Sequence, residues 1–317
     1  MLLDELLRRR LVFLSGKGGV GKSTVGLALA LAARERGKRV LLVEIDAPRE
    51  AARVLGSGPS GLREAEVAPG VFTVNLRPRD VMDEYVRHMV PTEMLSRRVI
   101  ESPIYARFFA AAPGLPELML LGKIMKLEEA RDRWSRRPRY DLVIVDAPAT
   151  GHGLSLLRVP LAASKAVPVG PIGHNARRIL ALLRDAERTT LALVAIPEEM
   201  AVVETIEFHE TASDELGIHV SAVLLNACHE RRLDEAQEGV VLRLAASGAD
   251  GTLGRGVRLR AALLAGRRHV RRRKLTRFYQ ARLRRALSLP LVPLPYVFAE
   301  EMGEDAIRML AERLEAS

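Results

Sequence analysis

Short runs of consecutive apolar residues alternate along the chain with longer segments in which apolar residues return every three or four positions. Leu11-Val-Phe-Leu14 is the first run; a glycine-rich turn ends it, and Val25 to Arg36 then reads as a helix rich in Ala and Leu that Gly37 closes. Arg39 to Ile45 follows as a second buried strand, giving the strand, loop, helix, strand order of a βαβ unit, which implies a parallel sheet. Further strands are predicted at Val71 to Leu76, Leu142 to Val145, Lys165 to Val169, Ala192 to Ile196 and Val220 to Leu225. Strands alternating with helices predict an α/β fold with a mainly parallel central sheet flanked by helices.

Between Pro78 and Arg137 the spacing turns helical, with Val81, Tyr85, Met89, Leu95, Ile104, Phe108, Leu118, Leu121 and Ile124 among the apolar positions. This predicts a helical insertion subdomain over about residues 78–137. No fixed-period repeat and no Gly/Ser-rich linker divides the chain, so residues 1–317 are expected to form a single domain. Met1 to Arg10 reads as a short amphipathic helix without the apolar core of a secretion signal. The single cysteine, Cys228, cannot form an internal disulfide, and no apolar run is long enough to span a membrane. A cytoplasmic location is expected, with peripheral attachment to a membrane or assembly left open.

Charge changes the picture at one place. The segment Arg255 to Arg285 carries 13 Arg or Lys and no Asp or Glu, and the rest of the chain is slightly acidic. An anionic partner is one reading of this segment and a solvated helical face is the other. The low aromatic content, 4%, argues against base stacking as a prominent activity.

The glycine-rich turn carries the chemistry. Gly16-Lys17-Gly18-Gly19-Val20-Gly21-Lys22-Ser23-Thr24 fits the phosphate-loop pattern and sits between a strand and a helix, so the chain is expected to be a P-loop NTPase. Glycines let successive N–H groups curl around phosphates, and the helix N-terminus favours their negative charge. Lys22 is expected to reach the terminal phosphates and Ser23 to ligate Mg²⁺. Asp46 ends the second strand at the carboxyl edge of the sheet, where a carboxylate can orient the attacking water and join the metal shell; a helix-capping role is the alternative. Asp146, ending another buried strand, is placed where a Mg²⁺ partner belongs.

Lys17 marks a subclass. Gly-Lys-Gly-Gly-x-Gly-Lys-Ser resembles the deviant phosphate loop of dimeric ATPases that include the Min-type, Par-type, nitrogenase-iron-protein and arsenite-pump families. The resemblance implies that Lys17 crosses a twofold interface to the other subunit's nucleotide, as an arginine finger would. Asp146-Ala-Pro-Ala-Thr150-Gly151-His152, followed by Leu156, Leu157 and Pro160, is similar to the second switch of the arsenite-pump and tail-anchored-protein targeting ATPases. That likeness implies a Mg²⁺-shell role for Asp146 and a switch loop at Thr150, Gly151 and His152. Pro197-Glu198-Glu199 with Glu204-Thr205 resembles a further family segment. Asn226 resembles the residue that bonds adenine, and Pro293-Leu294-Pro295 the loop that closes over the base. An amide suits adenine chemically, whereas a turn residue is the plainer reading of Asn226. The guanine signature Asn-Lys-x-Asp is missing around Asn226, so ATP is expected over GTP.

Departures narrow the expected function. The first switch reads Asp46-Ala-Pro-Arg-Glu rather than the family's Asp-Pro-Ala-His, and with one cysteine neither a zinc site nor a metalloid site is expected. The expectation is a Mg-ATP-dependent dimeric ATPase switch, a homodimer or a heterodimer with a paralogue, that handles a protein client. Its client surface is expected on the insertion, where Met82, Met89, Met94, Met119 and Met125 accompany Phe108, Phe109 and Leu121, although core packing explains such residues as readily. A Min- or Par-type positioning ATPase, or a nucleotide-binding partner subunit, is the alternative.

Overall fold

The computed structural model describes residues 2–46, 50–55, 62–247, 257–299 and 301–317. The chain begins with α1 (Leu2–Arg8), β1 (Leu11–Ser15), α2 (Lys22–Glu35), β2 (Val40–Ile45) and α3 (Glu50–Val54). Strands β3 (Ala65–Ala68) and β4 (Val71–Leu76) precede four helices, α4 (Pro78–Met89), α5 (Glu93–Ile100), α6 (Pro103–Ala111) and α7 (Leu115–Glu129). Then come β5 (Leu142–Asp146), α8 (Thr150–Ala166), α9 (Gly170–Arg184), β6 (Thr189–Ala195) and α10 (Glu199–Glu210). The last elements are β7 (Val220–Cys228), α11 (Glu235–Ser247), α12 (Val257–Ala286), β8 (Leu291–Pro295) and α13 (Glu304–Glu315).

The eight strands form one sheet in the order β3-β4-β2-β5-β1-β6-β7-β8, parallel throughout except for the antiparallel edge strand β3. Alternate residues of each strand feed opposite faces. Phe13, Leu41, Val43 and Val145 pack with α7, α8, α9 and α10 on one side, and Leu14, Leu42 and Ile144 pack with α1, α2 and α13 on the other. Burial on both faces is why these strands read as unbroken apolar runs. In α1, Leu3, Leu6 and Leu7 are buried, so its amphipathic pattern serves the core.

Three expectations are corrected. The helical spacing expected over residues 78–137 gives helix only as far as Glu129, because Arg131 and Pro138 pair as a bridge that turns the chain back toward β5. Lys165 to Val169 is not a strand: α8 runs on to Ala166, and Val167 and Val169 are exposed. Pro168 cannot donate to a ladder, and β6 already occupies the place beside β1. Pro293, Leu294 and Pro295 are not in a loop but on β8, the edge strand beside β7. An edge tolerates proline because one side of it lacks a hydrogen-bonded neighbour. The antiparallel strand β3 was not predicted.

A network around Glu128 ties the four helices between β4 and β5 to the sheet. Its side chain, at the end of α7, is buried and accepts from Arg10 Nε at 2.8 Å and from Arg188 Nη2 at 2.5 Å. Arg10 also donates to the Glu128 carbonyl at 2.6 Å. The buried carboxylate thus links α7 to the residues that enter β1 and β6.

Candidate functional site

The site lies at the carboxyl ends of the central strands, where sheet order reverses about β1. The loop from Gly16 to Gly21 leaves β1 and enters α2, and its first and last glycines are set by close approach. A Cβ on Gly16 would stand 2.0 Å from the Val194 carbonyl oxygen of β6. Gly21 has φ +85°, and a Cβ there would stand 2.5 Å from Asn226 Nδ2. Gly18 and Gly19 face solvent, Val20 is buried beneath them, and Thr24 is buried in the first turn of α2. The loop is therefore anchored by its ends with its middle open.

Ser23 Oγ donates to Asp146 Oδ2 at 2.5 Å. The pairing follows from register, since Leu14 on β1 lies opposite Asp146 on β5. A hydroxyl and a buried carboxylate brought together at a helix N-terminus are the hard oxygen donors that Mg²⁺ takes, so the residues present fit that ion. Lys22 Nζ donates to the carbonyls of Gly16 at 3.2 Å and Lys17 at 3.3 Å, which hold it over the loop. Burial lowers the Lys22 pKa from the usual lysine value, with the Asp146 carboxylate opposing. A partly desolvated ammonium in this position suits a phosphate.

Asp46 follows β2, whose Glu44 pairs in register with Asp146. It is exposed, its N–H donates to the Leu76 carbonyl at 3.1 Å, and its φ is +46°. Aspartate tolerates this left-handed conformation better than most residues, and it turns the chain at the sheet edge. The remainder of the first switch, Ala47 to Arg49, lies outside the described residues.

The second switch differs from the expected loop. Thr150, Gly151 and His152 form the first turn of α8, and the Thr150 N–H donates to the Gly16 carbonyl at 3.2 Å. Thr150 Oγ1 donates to Glu204 Oε2 at 2.7 Å, and Lys17 Nζ donates to Glu204 Oε1 at 2.7 Å. One carboxylate on α10 thus clasps both the extra lysine of the loop and the start of the switch helix. The Lys17 hydrogen bond, then the Thr150 one, holds the Glu204 pKa below its ordinary value. Sequence reasoning found Glu204 only as part of a family segment; its partners lie 187 and 54 residues away, and no local pattern encodes that.

Asn226 lies near the end of β7, buried, and its Nδ2 donates to the Val20 carbonyl at 2.9 Å. It braces the phosphate loop as well as standing at its edge. Beyond it, His229 stacks on Tyr296 with ring centroids 4.8 Å apart, Tyr296 meets Phe298 at 4.7 Å, and the Arg232 guanidinium lies 4.3 Å above Phe298. Burial first, then Arg272, His269 and Arg232, lowers the His229 pKa. Composition hid this cluster, because a low aromatic total says nothing about where the few rings gather.

In the helical segment Met82, Leu121 and Met125 are buried, whereas Met89 and Met94 are 65% and 72% exposed. Met119 is partly buried against the core, and the side chains of Phe108 and Phe109 lie outside those described. A groove of about 520 Å³ between α4, α7 and α9 is lined by residues that include Met82, Tyr85, Leu118, Met119, Met125 and Ile172.

Comparison with known proteins agrees with this arrangement. The family model described as "Anion-transporting ATPase" matches residues 9–169. ATPase BagA of Mycobacterium tuberculosis is 31% identical over 270 residues, which cover 81% of this chain and 77% of that protein. The arsenical pump-driving ATPase of Acidiphilium multivorum is 28% identical over 232 residues, 68% of this chain and 39% of that protein. A protein of the same description from Escherichia coli is 26% identical over 235 residues, 71% of this chain and 36% of its own length.

Proposed function

Because the chain belongs to the anion-transporting ATPase family, we propose that it hydrolyses Mg-ATP as one subunit of a dimeric switch that acts on a protein client. The observation that carries this reading is the meeting of Ser23 and Asp146 at 2.5 Å beside Lys22, at the mouth of the glycine-rich loop. When bound, Mg²⁺ would neutralise phosphate charge and be held by Ser23 and Asp146. Backbone N–H groups of the loop and Lys22 bind the phosphates, Asp46 orients water, and Asn226 meets the adenine edge with β8 bordering it.

Lys17 supplies the switching element. On Glu204 it is held within its own subunit. To stabilise phosphoryl charge across a dimer it must leave that carboxylate, and because Glu204 also holds Thr150 through its other oxygen, release of Lys17 is coupled to the start of α8. The apolar groove between α4, α7 and α9, and separately the exposed Met89, Met94 and Ile104 of α4, α5 and α6, support an apolar surface for the client.

Calorimetric titration of Mg-ATP tests the central claim. Lys22→Ala removes the main cation facing the phosphates and should weaken binding by roughly tenfold to a hundredfold, the worth of a charge-assisted hydrogen bond. Equal affinity in wild type and variant would remove the claim. GTP should bind far more weakly than ATP.

A further inference from the structure

The ATPase reading leaves the longest helix unused. Between Val257 and Ala286, α12 carries 12 Arg or Lys and no Asp or Glu. Two pairs of buried side chains on different faces hold it to the molecule, Leu263 and Val270 in its first half and Thr276 and Leu283 in its second. Thr276 Oγ1 accepts from the His229 N–H at 3.3 Å, and Arg273 pairs with Glu238 of α11. Its outer face is different: Arg267, Arg271, Lys274, Phe278 and Arg285 recur at helical spacing and are all exposed. At 1.5 Å per residue this line is about 27 Å long.

An ordinary solvated face does not account for the line. Surface helices gain from acidic residues placed four positions from basic ones, and like charges at that spacing repel. Here Arg267 stands four before Arg271 and Arg268 four before Arg272, with no carboxylate on the helix. Among the described residues, Arg267, Arg271, Lys274 and Arg285 have no carboxylate partner. The charge therefore works against the helix unless an anionic surface covers it.

The apolar residues within the line indicate which surface. Phe278 is 55% exposed and Leu275 44%, flanked on both sides by cations. A bilayer interface offers phosphates above and acyl chains just below, which is what such a mixture fits. A duplex phosphate backbone satisfies the cations but leaves the phenyl and isobutyl groups without an apolar partner. A shallow depression of about 410 Å³ lined by Arg277, Gln280, Ala281, Arg284 and Arg285 adds a cationic seat beside the line. We propose that α12 lays its outer face on an anionic phospholipid bilayer, with Phe278 and Leu275 entering the boundary between headgroups and acyl chains.

The test is sedimentation of the full chain with vesicles of phosphatidylglycerol and phosphatidylcholine, and with vesicles of phosphatidylcholine alone. Binding should be confined to the anionic vesicles and fall as salt rises. Combining Arg267→Glu, Arg271→Glu, Lys274→Glu and Arg285→Glu should reduce it by roughly tenfold or more, with Mg-ATP binding retained as evidence of folding. A second variant, Phe278→Trp in a Trp134→Phe background, should show a blue-shifted emission on anionic vesicles only. The proposal is overturned by equal binding to both vesicle types, by no binding to either, by an unshifted Trp emission, or by duplex DNA displacing the protein from the vesicles at matched phosphate concentration. That last result would assign the surface to nucleic acid.

Discussion

Glu204 holds the extra lysine of the loop and the first residue of α8 with one carboxylate. Its two oxygens are each 2.7 Å from a donor, one on the phosphate loop and one on the switch helix. Glu204→Ala should free Lys17 and Thr150 together, raising basal turnover several-fold while leaving Mg-ATP affinity near wild type; steady-state phosphate release measures the first and calorimetry the second. The ion pair is partly exposed, so its removal should cost only about 0.5–1 kcal/mol of stability. A carboxylate whose pKa is depressed on folding stabilises above its unfolded value and ceases to do so as pH falls through its folded one. The stability gap between wild type and Glu204→Ala should therefore be constant from neutral pH down to roughly pH 5 and close in stronger acid. Comparison of urea midpoints across pH checks this. The phosphate-loop residues were legible from sequence because their chemistry is contiguous, nine residues in a row. The clasp of Glu204 on Lys17 and Thr150 and the His229–Tyr296–Phe298 cluster were not, because tertiary packing alone assembles them.

At the scale of elements, unbroken apolar runs identified the buried parallel strands, since a strand covered on both faces has no polar alternation to confuse it. The same signal misled at Lys165 to Val169, where two exposed valines flank a proline. It also missed β3, a short edge strand with a mixed pattern that its pairing with β4 stabilises. Helical spacing expected over residues 78–137 gives helices only as far as Glu129, and spacing alone did not say which methionines face inward. The structure separates them, and so redirects the test of the client surface. Serine at Leu121 or Met125 would open the core, whereas Met89→Ser, Met94→Ser and Ile104→Ser alter residues 65%, 72% and 79% exposed. The triple variant should weaken capture of a bound protein in pull-downs while its thermal midpoint and basal hydrolysis stay near wild type. Glu128→Ala should do the reverse. Removing a buried carboxylate that serves Arg10 and Arg188 should cost roughly 2–4 kcal/mol in chemical denaturation, because both guanidiniums lose a charged partner beside the core.

For the molecule as a whole, the decisive question is whether a complete site needs two chains. Within one chain, Ser23, Lys22, Asp146 and Asp46 gather at one sheet edge, while Lys17 is turned to Glu204 of the same subunit. If Lys17 instead completes the partner's site, mutations in Lys17 and Asp46 should complement when placed on different subunits. In a dimer of one Lys17→Ala and one Asp46→Asn subunit, the first subunit's site keeps its own Asp46 and receives an intact Lys17, while the second site lacks both. Random mixing makes about half of the dimers hybrid with one working site each, so turnover should recover to roughly a quarter of wild type. Each variant alone should bind Mg-ATP and turn over poorly. Differently tagged subunits, purified through both tags, isolate the hybrid and should bring recovery to about half, because every molecule then carries one competent site. A hybrid purified in this way that stays as inactive as its parents would mean that Lys17 serves its own subunit, and the clasp on Glu204 would then be part of a site completed within one chain.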